Sequence, residues 1–350
     1  MRQVKKSLKA PSNSPSSKSM FNPEHDIVLA LNAGKGFVPP RAARKLREDL
    51  AFLPSIWGDD DEEVSVWGWD AAVVAELVKQ GVPREKMPTD EQLSEIRRLS
   101  NRSLAVELLR ELREMPGTTG YSEVCTSVAE VEDFIAKHGE TILKAPWSSS
   151  GRGVKEAPLQ TSPKWEAFHQ WMQNLLAHQG SIIVEEKCEK VMDFALEYVA
   201  DKEGRIVYKG LSLFETQNGA YTGNLLLPEE EKREILRQYV GDSLMQEVSE
   251  RIKQFLASRL RGIYHGPFGV DMLVAKNNCE LLLNPCIEIN LRRTMGHVAL
   301  ALTERGHRGT MAVTYNKEKD KYELIINNKG YEKNLSIMCD GLFADGGGSE

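Results

Sequence analysis

At 350 residues the chain is longer than one ordinary core serves, so two or three lobes sharing interfaces are expected. A content of 41% hydrophobic and 27% charged residues is that of a soluble globular protein, and a net charge of -6 argues against a general binder of nucleic acid or anionic membrane, since both need a clustered basic surface. No apolar run approaches the roughly 20 residues that cross a bilayer. Met1 to Met20 lacks the apolar core of a signal peptide, and the expected location is the cytoplasm. Cys125, Cys188, Cys279, Cys286 and Cys339 are odd in number, scattered and free of any CxxC pair, which predicts reduced structural thiols and no zinc site.

Residues 1–19 are rich in Lys, Ser and Pro and are expected to be disordered, as is the tail. Ile27 to Leu31 is a short continuous apolar run ending in Asn32 and Gly34, which predicts a strand, and Pro39 to Leu53 carries helical periodicity. Val64 to Trp67 reads as a second strand. Asp70 stands where the N-cap of a helix belongs, and Gly81 closes that helix. This alternation indicates a small parallel α/β lobe. Asp90 to Leu112 is helical but interrupted at Ser100 and Asn101, which predicts two consecutive helices, the second starting at Arg102. From Ser122 there follow a strand, a helix over Ser127 to Lys137, the strand TILKA, a helix over Lys164 to Ala177, the strand SIIVE, then FALEYVA and IVYKGLSLF. One long helix over Glu229 to Leu260 and the strands GVDMLVA and CELLLNP complete the series.

Three segments carry chemistry. In ILKAPWSSSGRGV, Lys144 ends an apolar strand, and Ser148, Ser149, Ser150, Gly151, Arg152 and Gly153 form a loop whose amides, hydroxyls and positive charge suit a phosphate. No GK[ST] closes it, so it is not a Walker A loop, and taken alone it reads equally as a hairpin tip. In VEEKC, Glu185, Glu186 and Lys187 end an apolar strand, with Asp193 seven positions beyond Glu186; a strand end can read a planar base and a carboxylate can accept from ribose hydroxyls. By itself it is an ordinary charged strand terminus. In GVDML and LNPCIEINLRRTMGH, Glu288 and Asn290 are two apart and share a strand face that Asp271 can join from the neighbouring strand. Such oxygen ligands suit Mg²⁺, and Arg292, on the same alternating face, could contact a phosphoryl group.

The order of these segments resembles the ATP-grasp superfamily, which includes D-alanine:D-alanine ligase, biotin carboxylase and glutathione synthetase. The resemblance implies an α/β protein, α+β in its ATP-binding part, with an N-terminal Rossmann-like lobe. The implied division is 1–19 disordered, 20–100 the N-terminal lobe, 101–185 the subdomain with the phosphate loop, 186–335 the subdomain with the metal site, and 336–350 a tail. Arg102 stands where a phosphate-contacting Lys is usual, Lys144 matches the strand Lys, and Ser148 to Gly153 match the phosphate loop. Glu186, Lys187, Cys188 and Glu189 fall at the adenine hinge and Asp193 at the ribose carboxylate. Asp271, Glu288 and Asn290 correspond to the metal ligands, E-I-N-L-R being similar to E-x-N-P-R with Leu291 in place of Pro. The 17 positions from Asp271 to Glu288 predict a bulge or longer turn around Lys276 to Asn278.

The resemblance implies ATP and Mg²⁺, with Mn²⁺ as a substitute, and a reaction in which ATP phosphorylates a carboxylate that an amine captures. Lys144, Arg292 and Arg293 would neutralise charge, and no catalytic base is obligatory. The expected partners are small-molecule or peptide carboxylates and amines, with a homodimer admitted and no nucleic acid or membrane. A kinase on the same fold and a nucleotide-binding module without turnover remain alternatives. FNPEHD, AGKGF with Arg41 and Arg44, and ETQNGAYTGN are candidate substrate loops; His25, His265, His297 and Lys209 read equally well as structural.

Overall fold

A computed structural model describes residues 5–7, 19–57, 64–148, 153–217, 220–277 and 280–328. Two antiparallel sheets organise it. Among the described residues the larger has eight strands, in which Glu189–Ala200 lies between Ile206–Gln217 and the hairpin Gly266–Asn277 and Glu280–Asn290. The smaller has four, in the order Ser122–Cys125, Ile182–Glu186, Thr141–Lys144, Val154–Glu156. Both are open; helices Asp242–Leu260 and Met295–Glu304 pack on opposite faces of the larger and two helices cover one face of the smaller, the α+β arrangement that the ATP-grasp resemblance implies.

Alternation along the strands decides which face does what. Phe194, Leu196 and Tyr198 bury into helix Asp242–Leu260, through Val248, Ile252 and Leu256, so Asp193, Ala195 and Glu197 take the opposite face. Asp271 pairs with Ala195 and lies on that second face too. In the small sheet, Leu143 and Val184 bury against Val131, Phe134 and Met172 of helices Val128–His138 and Trp165–Gln179. Helix Ser103–Leu112 joins the two parts by packing on strand Glu280–Asn290.

The predicted punctuation holds where side-chain chemistry sets it. Asp70 accepts from the amides of Ala72 and Val73 at 2.9 and 2.8 Å and starts helix Ala71–Lys79, and Gly81 adopts φ +82° beyond it. The break at Ser100 and Asn101 separates helices Asp90–Leu99 and Ser103–Leu112.

Three expectations are corrected. Ile27 to Leu31 is not a strand: helix His25–Leu31 buries His25, Val28 and Leu29, a helical spacing that a five-residue apolar run cannot reveal. Among the described residues the N-terminal lobe keeps only the parallel pairing of Ser19–Met20 with Ser65–Val66. The long helix from Glu229 is two, Glu229–Arg237 and Asp242–Leu260, because Tyr239 and Val240 turn into the core and Gly241 takes an extended conformation as the second N-cap. Lys5–Ser7, inside the segment expected to be disordered, pairs with Lys321–Asn327, whose edge offers backbone groups to any extended chain.

Candidate functional site: the cleft between hairpin and small sheet

The hairpin builds the acidic side. Its register places Asp271 directly opposite Glu288, and two residues later it shifts, Leu273 facing Asn284. The extra length therefore sits at 285–287 and not at Lys276 to Asn278, and Pro285, which cannot donate to a ladder, falls within it. Asn290 donates to Asp271 Oδ2 at 3.0 Å, so the three predicted metal ligands are together. Burial, and then the charge of Glu288, pushes the Asp271 carboxyl up to about 7.

Two carboxylates and an amide make no closed cation site. Among the described residues no three His, Cys, Asp or Glu side chains converge. Such a donor set fits an ion like Mg²⁺ that takes its remaining oxygens from phosphates and water.

The basic side comes from the strand and helix opposite. Arg102, at the start of helix Ser103–Leu112 and 6% exposed, donates to Ala145 O at 2.6 Å, to Ser148 Oγ at 2.7 Å and to Glu288 Oε1 at 2.7 Å. One guanidinium thus ties the base of the candidate phosphate loop to strand Glu280–Asn290. The ring of Trp147 fixes the same loop, lying 4.0 Å under the Arg97 guanidinium and donating Nε1–H to Arg97 O at 2.9 Å. Ser149, Ser150, Gly151 and Arg152 lie outside the described residues. Gly153 closes the loop at φ +76°, and its carbonyl accepts from Ala145 N at 2.8 Å.

Lys144 pairs with Glu185 at 2.7 Å. Glu185 was not among the predicted contacts, yet alternation exposes it: Ile142 faces Glu185 and Lys144 faces Ile183, so Lys144 and Glu185 share a sheet face. The buried Cys286 marks the meeting point, since its thiol is pushed up first by burial and then by Asp271, with Lys144, Glu288 and Glu185 all close enough to contribute.

The hinge residues spread differently. Glu186 binds His138 Nδ1 at 2.6 Å, Lys187 reaches Glu156 at 2.6 Å, and Glu189 is 4.0 Å from Lys276. Cys188 is half-buried, and burial raises its thiol. Asp193 holds Lys190 at 2.6 Å.

Arg292 and Arg293 depart most from expectation. The strand ends at Asn290, and Arg292 does not continue the alternating face: its amide turns back onto Asn290 O at 2.7 Å, and its guanidinium meets Asp26 of helix His25–Leu31 at 3.0 Å. Burial favours the neutral forms of both groups, but the mutual charges win: Asp26 is held below the usual carboxylate range and Arg292 is raised. Arg293 is buried with its guanidinium 4.8 Å from the Trp57 ring centre and its amide on Trp67 O. A pocket between these groups is lined by His25, Asp26, Arg102, Ser148, Glu288 and Arg292, among others.

On the same sheet face as Asp271 lies Glu197, 1% exposed and missed in the sequence because FALEYVA reads as an ordinary strand. Burial lifts its carboxyl to about 8 and lowers His297 to about 3. Glu197 Oε2 lies 3.0 Å from His297 Nδ1 but makes no hydrogen bond among the described residues; Nδ1 accepts from the Thr294 amide at 3.2 Å, and Nε2 meets Tyr198 O at 3.2 Å. Thr294 Oγ1 donates to Glu197 Oε1 at 2.8 Å, anchoring helix Met295–Glu304 just after the Arg292 turn. Gly296 admits the carboxyl: a Cβ there would lie 1.9 Å from Oε1.

No protein-family model matches the chain, and no curated protein does. Solved structures do. N5-carboxyaminoimidazole synthetase from Staphylococcus aureus, complexed with ADP, is 12% identical, with 92% of this chain and 89% of that one covered and a TM-score of 0.49. Biotin carboxylase from Campylobacter jejuni, in a complex with a β-γ-ATP ligand, is 11% identical over 91% and 83%, with a TM-score of 0.49. D-alanyl-alanine synthetase A from Vibrio cholerae is 13% identical over 69% and 70%, with a TM-score of 0.41. Likenesses of this size leave the chemistry to the chain's own residues. Among the described residues no helix is long and apolar enough to cross a membrane.

Proposed function

We propose that this protein is an ATP- and magnesium-dependent ligase that activates a carboxylate as an acylphosphate for capture by an amine or similar nucleophile. The observation that carries the reading is the meeting of Asp271, Glu288 and Asn290 with Arg102 and the loop after Lys144. Bound MgATP would supply the transferable phosphoryl group and the divalent charge. Asp271, Glu288 and Asn290 would hold the metal, Mn²⁺ substituting for Mg²⁺, while Arg102, Lys144 and the 148–153 loop would orient the phosphates. Glu186 to Glu189 would take the adenine and Asp193 the ribose. Arg292 would bind the group that receives the phosphoryl, through its planar fork.

Each of these charges has a partner within the chain: Lys144 has Glu185, Arg102 has Glu288, Arg292 has Asp26, and Asp193 has Lys190. Binding is therefore an exchange of partners, which favours a ligand that presents both phosphates and a cation. Small-molecule or peptide substrates in the cytoplasm, and a homodimer, complete the reading.

Screening carboxylates and amines for ADP release tests it. Free phosphate released only when both are present supports the ligase. A stable phosphorylated product would make the protein a kinase, and nucleotide binding without turnover a regulatory module.

A further inference from the structure

The Asp26 and Arg292 pair lines the pocket that Arg102 and Glu288 also line, and its contacts are close. Arg292 Nε donates to the two Asp26 oxygens at 3.0 and 3.2 Å, and Nη2 donates to Oδ2 at 3.0 Å. The side chains are 19% and 16% exposed. The adjoining cavity is about 20 Å³, room for a single water. A ligand carboxylate therefore cannot sit beside the pair and must displace Asp26 from the guanidinium fork.

Displacement leaves Asp26 without a cation. Among the described residues lining this pocket, Arg102 is held by Glu288, and His25 donates or accepts through Nδ1 at Asp70 Oδ2, 3.0 Å away. A ligand that brings only negative charge would strand a half-buried carboxylate, which is costly. A ligand that brings both signs replaces each partner with its like.

Resting on the carboxylate-activating reading, we infer that Asp26 and Arg292 together select an amino carboxylate, a small zwitterion whose carboxylate takes the Arg292 fork and whose ammonium takes Asp26. Asp26 is then a specificity-determining residue, and the acid that is activated carries its own amine.

The test supplies hydroxylamine as a general nucleophile, so the natural amine need not be known. The twenty proteinogenic amino acids and their des-amino counterparts, such as alanine against propionate, are compared by kcat/KM for MgATP-dependent ADP release, and MgATP binding is followed separately by calorimetry. At least one amino acid should exceed its des-amino counterpart by about tenfold or more, because a buried charge is left unpaired with the latter. The ratio should fall towards about one in Asp26→Asn and persist in Asp26→Glu. Should Asp26→Asn fail to fold, the wild-type ratio decides. Equal use of the two acid classes, a ratio unchanged in Asp26→Asn, or no release with any amino acid while MgATP binds would each overturn the inference. A failure of MgATP itself to bind overturns the nucleotide reading instead, and this inference with it.

Discussion

Arg102 donates to Glu288 at 2.7 Å across 186 positions of the chain, so the residue expected to touch phosphate holds a residue expected to hold metal. Each is the other's stand-in: the guanidinium occupies the carboxylate as a cation would, and the carboxylate occupies the guanidinium as a phosphate would.

Glu288→Gln should therefore act twice. It removes an anionic metal ligand, raising the magnesium needed for turnover, and it loosens Arg102, so metal-free ATP should bind as well as or better than in the wild type. A magnesium titration of ATP turnover, with calorimetry in excess chelator, checks both; superimposable magnesium curves would remove Glu288 from the metal site.

Lys144→Met separates structure from function only in company. Glu185 is 18% exposed and loses its partner, so the single variant should be destabilised by about 1–3 kcal/mol. In Lys144→Met with Glu185→Gln the unpaired charge is gone and the denaturation midpoint should largely recover. ATP affinity should stay low in both. Recovery of affinity along with stability would assign Lys144 a purely structural part.

Glu197 predicts an acid-side slope. Its carboxyl, near 8 when folded and near the usual carboxylate value when unfolded, binds its proton more tightly in the native state. The resulting stability is fully present at low pH and is lost as pH rises towards about 8. Glu197→Gln keeps a hydrogen-bond donor in the same cradle without the proton equilibrium, so its melting temperature should fall less than that of the wild type between pH 5 and 8. Parallel profiles would show that Glu197 does not titrate in that window.

Asp70 anchors the helix that carries Asp26. It accepts from Asn22 Nδ2 at 3.0 Å and meets His25 Nδ1, besides capping its own helix, all at 2% exposure. Asp70→Ala should cost about 2–4 kcal/mol, several of these donors being buried. Urea denaturation should show a lowered midpoint with an unchanged m-value; a shift smaller than that of an exposed cap would show the network to be dispensable.

The sequence by itself determined what short-range chemistry decides. Asp70 caps its helix because a side-chain oxygen reaches amides two and three positions on, and Gly81 stands beyond that helix where φ is positive. That Glu288 and Asn290 share a face was legible because a strand alternates strictly, as was Lys144 as the charge that ends an apolar strand. Only the tertiary structure decided who meets whom. That His25–Leu31 is helical follows from burying His25 and Val28, which no five-residue run reports. That Arg292 serves Asp26, that Arg102 serves Glu288, and that Glu197 is a neutral acid cradled by Gly296 are matters of burial and long-range charge. Those depend on contacts between residues up to 266 positions apart, and local propensity carries no information about them.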